Sequence, residues 1–160
     1  MYFDARTSVP SPATLQLLRD LIDLSLTSRQ AFDFAAQEVE DLVVSNLFQK
    51  IAQDHADQAA ELQTLIASSD ESQHSPSTSP RWGHPAFGDD FQQPLDQLLE
   101  QAERTVANLK VVYEQSLQDT LDPPYSDVLS RHYAALKEDE ARLAALRTHL
   151  NESAHPRPRF

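Results

Sequence analysis

Apolar residues recur every three or four positions in four long stretches of this chain. In the first, Leu15, Leu18, Ile22, Ser25, Phe32, Ala36 and Val39 share one helical face, and in the second Val44, Phe48, Ile51, His55, Gln58, Leu62 and Leu65 do. The third presents Leu95, Leu98, Leu99, Ala102, Val106, Leu109, Tyr113 and Leu117. The fourth presents Leu129, His132, Leu136, Glu140, Leu143 and Leu146. The breakers fall between or just at the edges of these stretches, with prolines at 10, 12, 76, 80, 85, 94, 123, 124, 156 and 158 and the only glycines at Gly83 and Gly88. Ser11 before Pro12, Asp41, Pro94, and Asp122 before Pro123 are helix-start signals, so the pattern predicts helices over 12–40, 42–67, 93–120 and 123–150. Residues 1–11 read as a flexible N-terminus, 68–92 as a crossover segment and 151–160 as a disordered tail. The architecture is all-α, a four-helix bundle.

A shift of 81 positions lays the first half of the chain on the second without a gap. Leu17 and Leu18 fall on Leu98 and Leu99, Phe32 on Tyr113, Asp41 on Asp122, Lys50 on Arg131, Leu62 on Leu143 and Leu65 on Leu146. One amphipathic hairpin is written twice. The repeat predicts Phe32 and Tyr113 packed in the core at comparable heights. Short turns join helices one to two and three to four, whereas about 23 residues join two to three, enough when extended to travel the roughly 39 Å of a 26-residue helix. The two middle helices should therefore be parallel, with Trp82 and Phe87 docking along the way.

Charge and composition narrow the function. With 13 basic and 25 acidic residues among 160, the chain carries a net charge of −12, which repels phosphate backbones and anionic lipid surfaces. Nucleic-acid and membrane partners are disfavoured. There is no cysteine, so disulfides, thiolate chemistry and Cys-based metal sites are excluded, leaving His and carboxylate as the only metal options. Met1 to Pro12 has one basic residue and no apolar run, and the expectation is a soluble cytoplasmic protein.

Leu21-Ile22 through Phe32, Val39-Glu40-Asp41-Leu42 leading to Leu47-Phe48, Ala59-Ala60-Glu61-Leu62-Gln63, Arg81-Trp82 and Leu143 to Arg147 together permit a narrower comparison. The chain from 15 to 148 resembles a rubrerythrin-related, ferritin-like domain-of-unknown-function family of bacterial four-helix bundles. That resemblance implies two antiparallel helical hairpins joined by a long crossover. In catalytic relatives it implies a di-iron site built from Glu on helices one and three and Glu-x-x-His on helices two and four. Here the corresponding positions are Ser25 and Val106, then His55 and Gln58, then Lys137 and Glu140 or Leu136 and Asp139. Two iron ions need several anionic ligands to balance their charge, so no metal or other cofactor is expected. Were a metal site rebuilt, its ligands would come from His55, Glu61, Asp139 and Glu140.

Several polar residues interrupt the apolar faces. His55 lies mid-helix on the buried stripe and reads as a neutral core histidine bonded to Gln58, Ser25 or Glu140, ahead of a metal or phosphotransfer role. His132 has no carboxylate one turn before it and reads as a bundle-end histidine. His74 and His84, with Asp70, Glu71, Asp89 and Asp90, are expected as solvated loop residues. Of Glu138, Asp139 and Glu140, at most one can face inward. The expectation is an uncharacterised, non-enzymatic bundle acting through self-association or a protein partner, since Leu24, Leu26 and Phe34 lie off the main stripe of helix one. The alternatives are a metal-binding oxidase or metal store and, third, a histidine phosphotransfer domain. For the last, Asp57 two residues after His55 would repel an incoming phosphoryl group.

Overall fold

The computed structural model describes residues 11–67, 94–119 and 121–154, which form four helices and, among the described residues, no strand. They are α1 (Pro12–Glu38), α2 (Leu42–Ala67), α3 (Leu95–Gln118) and α4 (Pro123–Ala154). The expected crossover 68–92, with Trp82, Phe87, His74, His84 and the acidic residues beside them, lies outside the described residues, as do residues 1–10. Residues 151–154, expected as part of the tail, continue α4, and 155–160 lie outside the described residues.

The first two helices start where side-chain caps place them. The Ser11 hydroxyl accepts from the Thr14 amide at 3.1 Å, and Pro12 follows in the first turn, where a missing N–H costs nothing. Val39 leaves the helical region with φ −80 and ψ 128, ending α1. Two residues later the Asp41 carboxylate accepts from the Val43 and Val44 amides at 2.9 and 3.1 Å, so the turn between α1 and α2 is only three residues long. Ser45 Oγ donates to the Ala36 carbonyl at 2.7 Å and ties that turn shut. At the start of α4 the Asp122 carbonyl accepts from the Tyr125 and Ser126 amides.

Pairs of contacting residues fix the directions. Ser28 meets His55 and Ala36 meets Ser45, so α1 and α2 run antiparallel. Glu103 meets Arg147 and Lys110 meets Glu140, which does the same for α3 and α4. Between hairpins, His55 faces Asp139 and Glu61 faces His132, making α2 and α4 antiparallel and α2 and α3 parallel, as the long connection requires. Around the bundle, α1 packs on α2 and α3, while α4 packs on α3 and α2.

The interior is filled by Phe32, Phe48, Tyr113 and a column of leucines, including Leu18, Leu21, Leu62, Leu99, Leu129, Leu136 and Leu143, all removed from water. Phe32 meets the Phe48 ring edge-on at 5.4 Å. Phe32 and Tyr113 are both wholly buried but do not share a level. Phe32 packs beside Phe48 and His55, whereas Tyr113 packs beside His132 at the level of Glu61, six residues or about 9 Å further along α2. Because α1 and α3 run in opposite directions, the repeat sends a residue to a mirrored level.

Candidate functional site

Two imidazoles are buried, and each faces an acid across the seam between α2 and α4. His55 of α2 is fully enclosed: its Nδ1 pairs with Ser28 Oγ at 2.8 Å, and its Nε2 looks at Asp139 Oδ2 from 3.9 Å, too far for a hydrogen bond. The Phe32 ring meets it edge-on at 5.7 Å. Burial strips the imidazole of solvent and lowers its pKa to about 4, with the Asp54 charge opposing this only in part, so His55 is neutral at physiological pH. Burial has the opposite effect on the acid. It pushes Asp139 up to about 7, reinforced by the neighbouring Asp54 charge and resisted by Lys50 and Arg142. In this pair the proton therefore resides on the carboxyl before it resides on the imidazole, the reverse of their order in water.

His132 of α4 has a more complete set of partners. Its Nε2 lies 2.6 Å from Glu61 Oε1 and its Nδ1 lies 3.2 Å from the Tyr113 hydroxyl. Arg131 Nη2 donates to the other Glu61 oxygen at 3.0 Å and, as the largest of several causes, holds that carboxyl below its usual range. Desolvation lowers the His132 pKa although Glu61 pulls it up. With Glu61 ionised and His132 neutral, the partners assign Nε2–H as donor to Glu61 and Nδ1 as acceptor from Tyr113 O–H. A hydroxyl, an imidazole and a carboxylate in line are also the parts of an activated nucleophile. Tyr113 cannot serve as one, because its hydroxyl is enclosed and burial pushes its pKa up. Ser25 Oγ lies against that hydroxyl without good hydrogen-bond geometry.

The four residues named as ligands of a rebuilt metal site are thus separated. His55 and Asp139 face each other, Glu61 is held by Arg131 and His132, and Glu140 accepts from Lys110 Nζ at 2.7 Å. Among the described residues no group of three or more His, Asp or Glu could hold a metal ion. Ser25 and Val106, the positions that the resemblance assigns to bridging carboxylates, are wholly buried. On α4 the inward positions are Leu136 and Asp139, not Lys137 and Glu140. This donor set does not fit a di-iron centre. Nor can an imidazole as enclosed as His55 be reached by a phosphoryl donor.

Three expectations are corrected at this level. His55 bonds to Ser28, one turn beyond Ser25, and faces Asp139 in place of Glu140. Asp139, three residues after Leu136 and four before Leu143, is the member of the acidic run that the α4 stripe turns inward, so Glu140 leaves the predicted face and pairs with Lys110. His132, read as lacking a carboxylate one turn away on its own helix, is buried and takes its carboxylate from α2 across the seam.

Residues 13–79 match a family described as Domain of unknown function (DUF2383). The match takes in all but the first residue of α1 and the whole of α2, hence His55, Gln58 and Glu61 but not their α4 partners. No curated protein matches the chain.

Above His55 and Asp139 the seam opens into a groove of about 320 Å³. Lys50, Asp54, Asp57 and Gln58 line it from α2, and Arg131, His132, Ala135, Glu138, Asp139 and Arg142 from α4. No residue pattern in either helix taken singly announces it, because it exists only where the two polar edges meet. No helix among the described residues is long and apolar enough to cross a membrane.

Proposed function

We propose that this chain is a ferritin-like bundle of the cytoplasm that acts through association, with a second copy of itself or a protein partner, and not through di-iron chemistry. The observation carrying this reading is the apolar surface beside the α1–α2 turn. Leu42 and Val43 at the start of α2 are 76% and 64% exposed. Two neighbouring aliphatic residues standing in water at a helix start are what a contact surface requires. Leu24 and Leu26, also expected to need cover, pack half-buried against the core, so the contact surface lies at this end and not along α1. The ferritin-like comparison is supported by the two antiparallel hairpins with parallel second and third helices, and by the inward register of His55. The poor donor set around that histidine supports a frame used for assembly.

Sedimentation equilibrium tests the proposal. The wild-type chain should form dimers or larger assemblies, and Leu42→Glu with Val43→Glu should return it to monomer without loss of helix content. A wild-type chain that stays monomeric at high concentration and retains no protein from a cell extract would overturn it. So would stoichiometric iron or manganese that survives dialysis and is lost in His55→Leu, which would restore the oxidase or metal-store reading.

A further inference from the structure

The exposed side chains of Leu42 and Val43 stand beside an acidic turn. Glu38 in the last turn of α1 and Glu40 just beyond it are exposed, and no ion pair among the described residues joins either of them. Residues 30–49 contain no Lys, Arg or His. These carboxylates meet the negative end of the α1 dipole, a placement that favours an added cation. The register of the α2–α4 seam shows which part of the chain arrives there. Val43 lies eighteen residues before Glu61 and Leu150 eighteen after its partner His132, five whole turns of 3.6 residues in each helix, so Val43 and Leu150 continue the facing edges at one level. Leu150 packs against the core, and α4 runs on for only four residues, about 6 Å, to Ala154. The segment that follows, His155-Pro156-Arg157-Pro158-Arg159-Phe160, therefore starts at the end of the bundle where the α1–α2 turn stands.

That segment carries two arginines, a phenylalanine and no acid, in a chain of net charge −12. Six residues reach about 20 Å when extended, twice the roughly 10 Å between the axes of packed helices. We propose that residues 155–160 fold back across the end of the α2–α4 seam and dock in cis on the α1–α2 turn, with Phe160 on Leu42 and Val43 and the Arg157 and Arg159 guanidinium groups on Glu38 and Glu40. Guanidinium and carboxylate make strong, directional pairs, and an aromatic ring covers two aliphatic side chains with a large apolar area. Pro156 and Pro158 restrict the segment before it docks, which lowers the ordering cost. A segment tethered this closely acts at an effective concentration of about a millimolar, so the chain's own segment is favoured over that of a second copy. The surface is the one assigned to association above, and on that reading the segment is a built-in competitor that a partner must displace.

The test is NMR of the full-length chain at low salt, at a concentration where sedimentation finds monomer. Nuclear Overhauser contacts should join the Phe160 ring to the methyl groups of Leu42 and Val43. They should vanish in the full-length double variant Arg157→Glu with Arg159→Glu, whose changes lie outside the four helices and should leave circular dichroism unchanged. Absence of these contacts in the wild-type chain would overturn the proposal. So would contacts seen only between isotopically distinct chains in a mixed sample, which would give the surface to the segment of a second copy. The association reading fails separately. Where it holds, the double variant, freed of its competitor, should self-associate at least about tenfold more tightly than wild type. Contacts present in the wild type, with self-association unmoved by the double variant, would put the association surface elsewhere and leave the docking in place.

Discussion

The two acid–imidazole pairs across the α2–α4 seam are built reciprocally, and they behave differently. One places histidine on α2 and the acid on α4, and the other does the reverse. His55 and His132 are both buried; what separates the pairs is the acid. Glu61 is 39% exposed and has Arg131 beside it, so it stays ionised and pulls a 2.6 Å hydrogen bond from His132. Asp139 is 1% exposed, and its Arg142 contact is long, so it keeps its proton to about pH 7 and stands 3.9 Å from its imidazole. Solvent access at the carboxylate, more than burial of the histidine, decides whether such a pair becomes an ion-supported bond or two neutral groups in proximity.

Each histidine leans on an aromatic ring of the 81-residue repeat, and removing the rings gives the strongest contrast. Phe32→Ala should cost about 3–5 kcal/mol, since it opens a cavity against Phe48 and His55 in a closed part of the core. A melting temperature unchanged by this substitution would show that the site collapses freely.

Next comes Asp139→Asn, which separates the two pairs by pH. The folded chain holds the Asp139 proton to about pH 7, the unfolded chain only to 3.8, so folding is favoured as pH falls through 7 and pays for a buried anion above it. The variant should therefore be more stable than wild type by roughly 2–4 kcal/mol at pH 8, with the gain vanishing toward pH 4. Chemical denaturation at both pH values checks this, and an equal effect at each would contradict the assignment.

His55→Leu should change stability by no more than about 1–3 kcal/mol at pH 7, the scale of a buried hydrogen bond, but it should alter the pH profile. The folded-state pKa of His55 is depressed from 6.5 to about 4, so its contribution is lost as pH falls through that window, while Asp139 gains over much of the same window. In wild type the two offset each other. In the variant only the Asp139 gain remains, and stability should rise from pH 7 to pH 4. The smallest effect belongs to Tyr113→Phe, which frees His132 Nδ1 at a cost of about 1 kcal/mol and should raise the His132 pKa little, because Glu61 still holds the other nitrogen.

The bundle was legible in the sequence because helix formation, capping and burial are local. Ser11, Asp41 and the apolar stripes state their roles within four residues of themselves. The inward direction of His55 was legible for the same reason. Its partners were not, since periodicity fixes which face a residue takes on its own helix and is silent about the axial offset between helices. A shift of one turn separates Ser25 from Ser28 as the neighbour of His55. The reading of His132 failed because a carboxylate was sought one turn away on α4, when Glu61 stands on another helix 71 positions earlier in the chain. Asp139 could have been singled out by carrying the Leu136 and Leu143 spacing through the acidic run.

The unequal packing of the seams also implies an order of assembly. Most tertiary contacts join helices of the same hairpin, which are close in sequence and lose little chain entropy in coming together. The hairpins can collapse separately, and docking comes afterwards. His55 then meets Asp139, and Glu61 meets His132, only when the halves slide into register, because a slip of one turn would set a carboxyl against leucine and strand an arginine. These late contacts should weigh on the unfolding rate and hardly on the folding rate, a division that stopped-flow kinetics of Asp139→Asn at pH 8 can read. Polar pairs that add little to the depth of the native well can still act as its alignment pins.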